Sequence, residues 1–151
     1  MSRFTFPGLG RERPPVVTWV YGGLGLIPFF GGAVAAVLFP GLALAQLELI
    51  AYGALILSFL GGGRWGLEIG RRPVRAVVIS VSMLPTIVAF LLLIAMGVPN
   101  PWRLVGLSLA FLAQWTWDVW SKDMPAWYPS LRHLLTAGAV GCMLVGAAAS
   151  V

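Results

Sequence analysis

The sequence contains one cysteine, Cys142, one histidine, His133, and five acidic side chains among 151 residues. A single cysteine excludes an internal disulfide and a cysteine-rich metal site. A single histidine gives no histidine-ligated metal site or haem pair, so no metal ligands are assigned. Charged residues make up 10% of the chain and hydrophobic ones 59%, which leaves too little polar surface to cover a soluble globule. No nucleophile elbow, phosphate-binding loop, zinc spacing or catalytic dyad occurs. The sequence therefore offers no catalytic residues, points away from an enzyme and requires no cofactor.

What is present is apolar sequence in long runs. A helix of about 20 apolar residues crosses about 30 Å of hydrocarbon, and five such runs fit the chain, at about 16–39, 42–69, 74–96, 102–121 and 130–151. The expected fold is all-α: an integral membrane bundle of five transmembrane helices, residues 16–151, after a cytoplasmic tail, residues 1–15. No length remains for an extramembrane catalytic domain. The first apolar run exceeds 20 residues and has no clear small-x-small cleavage site, so it is expected to be retained. Nine of the ten Lys and Arg residues then fall on one side, with only Arg103 on the other. Basic loops resist translocation, which places the N-terminus in the cytoplasm and the C-terminus outside. The net charge of +5 is spread singly or in short groups between apolar runs. It fits topology signals and anionic-lipid contacts, not nucleic acid.

Pro28 stands near the middle of the first span, which it should kink, and Pro85 stands at mid-depth in the third, flanked by Ser82 and Thr86. Gly62, Gly66 and Gly70 form two overlapping GxxxG patterns, suited to close packing within the bundle or to a dimer contact. Gly138, Cys142 and Gly146 form a similar small-residue stripe in the last span.

The candidate site lies where the second span leaves the bilayer. Residues 52–68 run from apolar sequence through Gly61, Gly62 and Gly63 into Arg64, Trp65 and Glu68. Arg64 and Glu68 are four apart and share a helix face. Gln114, Asp118 and Ser121 form a polar strip on the fourth span, and Trp127, Tyr128 and Arg132 open the fifth. All the tryptophans except Trp102 fall in the same half of the membrane. The predicted ligand-binding set is Arg64, Trp65, Glu68, Gln114, Trp117, Asp118, Trp127, Tyr128 and Arg132. These residues fit an aromatic-walled polar groove for a lipid, quinone or porphyrin; they also fit snorkelling arginines and interfacial tryptophan anchors. An unpaired Asp118 one turn inside the boundary would cost about 2 to 3 kcal/mol, so Arg64 or Arg132 should pair with it. Glu48 is an intramembrane acid in the opposite half, with only Arg103 near its depth. It fits a protonated carboxyl, an interhelical hydrogen bond, a proton relay or a substrate group. His133, beside an interfacial arginine, reads as solvated.

Tyr52-Gly53-Ala54, Ser58-Phe59-Leu60-Gly61-Gly62 and Arg64-Trp65-Gly66, with Leu26-Ile27-Pro28-Phe29 before them and Trp127-Tyr128, Leu131-Arg132 and Thr136 after, resemble the transmembrane-protein-69-like family, domain of unknown function 3429. The resemblance runs from about Leu24 to Thr136. It implies a small multi-pass protein of bacterial inner membranes with mitochondrial relatives, and it brings no activity, substrate or cofactor. The expected function is non-enzymatic: binding an amphiphile or a partner membrane protein, with membrane lipids or a second copy as further partners. A small proton-coupled transporter and an accessory subunit of a respiratory or photosynthetic complex are the alternatives.

Overall fold

The computed structural model describes residues 15–149, which are helical with no strand among them. The expected tail, apart from Pro15, lies outside the described residues. Seven helices follow in order: α1 Val16–Leu24, α2 Ile27–Leu38, α3 Ala43–Ile69, α4 Ala76–Ser82, α5 Leu84–Ile94, α6 Asn100–Trp120 and α7 Tyr128–Ala148.

The breaks between α1 and α2 and between α4 and α5 have the same cause. Pro28 and Pro85 each sit at the second position of the new helix, where the ring is tolerated, while their missing N–H and ring clash interrupt the ladder just before them. The backbone groups released are taken up locally. The Tyr52 hydroxyl donates to Gly25 O at 2.9 Å, and the Ser82 hydroxyl donates to Ile79 O at 2.7 Å. Ser58 and Thr86 share a hydrogen bond of 3.1 Å beside the second break. Glycine is required at two points nearby. A Cβ at Gly61 would come within 2.7 Å of Ser82 O, so α3 touches the α4–α5 break only because that side chain is absent. Gly41 turns the chain between α2 and α3 at φ 91°, a region costly for other residues.

Four segments are long and apolar enough to cross a membrane: Val16–Leu38, Ala43–Ile69, Ala76–Ile94 and Tyr128–Ala148. The sequence predicts five. The fifth candidate, α6, has 21 residues but is less apolar, because Arg103, Gln114 and Asp118 interrupt it. Its polar side chains are buried within the bundle, so the deficit in hydropathy arises on the face turned inward.

Helix α3 occupies the centre and touches α2, α4, α5, α6 and α7, while α6 and α7 form the most extensive pair. The core is made of Leu49, Ile50, Leu57, Leu104, Leu107, Phe111 and Met143 with Phe29 from α2. At 27 residues, α3 is about 40 Å long, more than the hydrocarbon thickness requires. Large apolar side chains such as Phe59, Val77, Phe90 and Leu109 are exposed all round the bundle. Water would not tolerate such a surface, and lipid would. The small residues of α7 work as expected: Gly138 admits Leu26, and Gly146 admits Leu49 and Leu104. The GxxxG glycines do not pack within the bundle. Gly62 and Gly66 face outward with nothing near a built Cβ, and Gly61, one residue away, makes the close helix contact instead.

Candidate functional site

The last two turns of α3 and α6 and the first turns of α7 meet at one end of the bundle. Asp118 on α6 is the centre of the charge there. Arg64 donates from Nε to Asp118 Oδ1 at 2.7 Å, from Nη1 to Ser121 Oγ at 2.8 Å and from Nη2 to Trp117 O at 2.8 Å. Its guanidinium also lies 4.8 Å from the centroid of the Trp117 ring, a cation–π distance. Gln114 donates to the same carboxylate oxygen at 3.1 Å, one helical turn away. Arg132 reaches Asp118 from α7, with Nε 3.0 Å from Oδ2. That contact is an ion pair without hydrogen-bond alignment, and neither atom has a hydrogen-bond partner among the described residues. Arg64, Asp118 and Arg132 are all nine-tenths or more buried, with 3%, 1% and 4% of their surface exposed. One carboxylate therefore faces two guanidiniums away from water.

A second set of charges lies at the rim. Arg64 and Glu68 share a helix face but do not pair; Glu68 turns to the α3–α4 turn. It accepts from Arg75 through the backbone N–H at 2.8 Å and the guanidinium Nη2 at 2.5 Å, while Arg71 Nε stands 3.5 Å away. Asp123, in the α6–α7 loop, closes the set by accepting from Arg71 at 2.8 Å and Arg75 at 2.7 Å. The hydrogen bond from Arg75 holds the Asp123 carboxyl below its ordinary value of 3.8, against a partly opposing desolvation. Glu68 first, then Asp123, holds Arg75 above the usual guanidinium range. The Ser121 hydroxyl, which accepts from Arg64, also stands 3.3 Å from Asp123 Oδ2. It joins the buried set to the rim.

Of the nine residues singled out from the sequence, the structure brings Arg64, Gln114, Trp117, Asp118 and Arg132 together directly. Tyr128 is half-buried and lies in the field of Asp118, Arg132 and Arg64. Trp127 packs edge-on against Tyr128 with ring centroids 5.9 Å apart. Glu68 is adjacent but engaged with the rim. Trp65 points away, 42% exposed on the outer face of α3, because a residue next to inward-facing Arg64 is turned about 100° from it on a helix. Arg71, Arg75 and Asp123 were not in the set; the signal available for them was that buried Glu68 needs a cation. His133 is half-buried and accepts a hydrogen bond from the Trp115 indole at 3.1 Å, so it is held in the structure and not simply solvated.

Glu48 stands in the first turns of α3, at the opposite end. Its carboxyl lies against the Gly32 backbone and lines a groove with Pro28, Gly31 and Leu44. Its Oε2 is buried without a hydrogen-bond partner among the described residues. Arg103 does not reach it: that guanidinium is spent on Leu92 O, Leu93 O and Asn100 Oδ1, which closes the end of α5.

A cavity of about 280 Å³ adjoins the buried cluster, between α1, α2, α3, α6 and α7. Phe29, Phe111, Leu60 and Ala139 form its apolar walls, exposed Tyr21 and Phe59 stand at its outer side, and Arg132 is its one charged lining residue. A larger groove between α2 and α7, about 620 Å³, has no charged lining residue. Arg132 Nη2 is buried without a hydrogen-bond partner among the described residues, as is the hydroxyl of Thr136 one turn along α7. No group of His, Cys, Asp and Glu suited to a metal ion occurs among the described residues.

No solved structure matches the chain. It is 35% identical over 124 residues to Transmembrane protein 69 of Xenopus tropicalis, a match that takes in 77% of this chain and 47% of that protein. The chain thus spans about half the length of this relative. The family described as protein of unknown function (DUF3429) matches residues 14–148, which take in the whole helical bundle, and to that family the chain belongs.

Proposed function

We propose that this protein crosses a bacterial inner membrane five times, N-terminus in the cytoplasm and C-terminus outside, and binds a membrane amphiphile without catalysing a reaction. The topology rests on the nine-to-one bias of basic residues and on α6, whose polar residues are turned inward. Binding rests on one observation. Arg132 is buried, keeps an unpartnered donor and lines an apolar cavity. A buried donor left unmade costs about 1 to 3 kcal/mol, a deficit that a ligand's polar head beside an apolar tail would remove. The test is native mass spectrometry after gentle extraction, with analysis of co-purifying small molecules. A retained amphiphile, lost in Arg132→Gln while the protein stays folded, supports the reading; wild-type protein carrying none overturns it.

A proton-coupled transporter is the second reading, favoured by the unpartnered Glu48 carboxyl at the α2–α3 groove. Carboxylates in membranes that lack a cation partner are often proton carriers. Glu48→Gln would then abolish proton-linked flux in reconstituted vesicles without unfolding the protein.

A further inference from the structure

The charge arrangement around Arg132 narrows the ligand class. We infer that the cavity takes a single-chain amphiphile with a carboxylate head, seated against Arg132 with its tail among Phe29, Leu60 and Phe111; this rests on the amphiphile reading above.

The first step is charge balance. Among the described residues Asp118 is the one carboxylate in contact with both Arg64 and Arg132, so the buried triad carries one uncompensated positive charge. No other acid among the described residues is placed to neutralise it, since Glu68 and Asp123 are both engaged with Arg71 and Arg75 at the rim and Glu48 stands at the opposite end of α3. A buried charge without a counterion is costly, more so at a membrane boundary.

The second step locates the excess. Each nitrogen of the Arg64 guanidinium has a hydrogen-bond acceptor. Arg132 has an ion-pair contact without alignment and a buried Nη2 with no acceptor. Arg132 therefore lacks both a charge and an acceptor, and an anion supplies the two together. A carboxylate does so in a geometry that a guanidinium matches. A neutral hydroxyl or quinone carbonyl would satisfy the donor but leave the charge, and an ammonium would add to it.

The third step is size. About 280 Å³ lies just below the usual range for ligand pockets. Its walls are otherwise apolar apart from the Tyr21 hydroxyl, which suits one acyl chain and not the two of a phospholipid.

The experiment uses the full chain in phosphatidylcholine nanodiscs with a photoreactive twelve-carbon carboxylic acid as the probe, mapping crosslinks by mass spectrometry. Expected are crosslinks on the cavity walls, displaced by dodecanoate at a concentration about 10-fold or more below that of dodecanol or dodecylamine. Arg132→Gln should weaken the crosslink about 10-fold to 100-fold. Because that variant removes a buried ion pair and could misfold, Leu135→Trp serves as a second: it fills the cavity, leaves every charge in place and should also abolish the crosslink. Equal displacement by dodecanol and dodecanoate would overturn the carboxylate assignment while leaving amphiphile binding intact. Stronger displacement by phosphatidylglycerol than by dodecanoate would overturn the single-chain assignment. No saturable crosslink with the probe, and no bound amphiphile of any kind in the native protein, would overturn the underlying reading itself.

Discussion

Asp118 and Asp123 stand five residues apart and answer to different physics. Asp118 is enclosed, and its removal would leave two guanidiniums without a counterion in a poorly solvated site. Asp118→Ala should therefore destabilise by about 3 to 5 kcal/mol. Asp123→Ala should cost much less, because Arg71 and Arg75 are more than two-fifths exposed and water screens their loss. Chemical denaturation in detergent compares the two, and equal losses would contradict the burial assigned to Asp118. Asp123 also sets a pH dependence. Its folded-state value is depressed below 3.8, so its contribution is complete above that pH and fades as pH falls through the lower folded value. Asp123→Asn should flatten this acid limb and leave the pH dependence of stability near neutrality unchanged. That Asp118 needs an arginine could be read from its depth alone. That Glu68 would turn from Arg64 to Arg75 could not, because it depends on how the α3–α4 turn and the α6–α7 loop fold over each other.

At the scale of the element, glycine spacing and glycine contact part company. The GxxxG pattern at Gly62, Gly66 and Gly70 suggests a helix contact, yet the contact belongs to Gly61. A pattern of small residues records where approach is allowed; which side faces the neighbour is set by the apolar and polar residues around it, here Leu57, Arg64 and Glu68, all buried with Gly61. The consequence is a pair of opposite effects. Gly61→Ala puts a Cβ 2.7 Å from Ser82 O, and overpacking of this kind costs about 1 to 3 kcal/mol. Gly62→Ala meets nothing within 4 Å and should be neutral or stabilise by about 0.5 to 1 kcal/mol through helix propensity. Melting temperatures moving in the same direction for both would mean that α3 presents a different face to α4 and α5. The break at Pro28 was legible, since the missing N–H acts locally, and the same cause accounts for the one at Pro85. The Tyr52 hydroxyl that satisfies Gly25 O was not, as it joins residues 27 apart in sequence.

At the scale of the whole molecule, the helical class follows from composition, while the number of crossings is harder to read from hydropathy. Helix α6 is the reason. It serves the candidate site, so its polar residues are those that a hydropathy criterion counts against a span, although Arg103, Ser108, Gln114 and Asp118 are all buried in the bundle. Hydropathy sums over the whole circumference, but a bilayer would meet only the outer face, which in α6 carries residues such as Leu109 and Leu112. Its 21 residues give about 31 Å of helix, enough for the hydrocarbon core. If α6 crosses, Val98 just before it and Lys122 just after it lie on opposite sides of the membrane. Val98→Cys and Lys122→Cys, each in a Cys142→Ala background, should then differ in intact spheroplasts. A membrane-impermeant maleimide should label position 98 from outside and reach position 122 only after permeabilisation. Labelling of both from one side would place α6 along the membrane surface, and with it the buried arginine pair at a depth where water could solvate it. The reversed pattern, 122 from outside and 98 only after permeabilisation, would keep five spans but invert the orientation. The basic residues at 71, 72 and 75 would then face outward, against the charge rule that assigns the cluster to the cytoplasmic side.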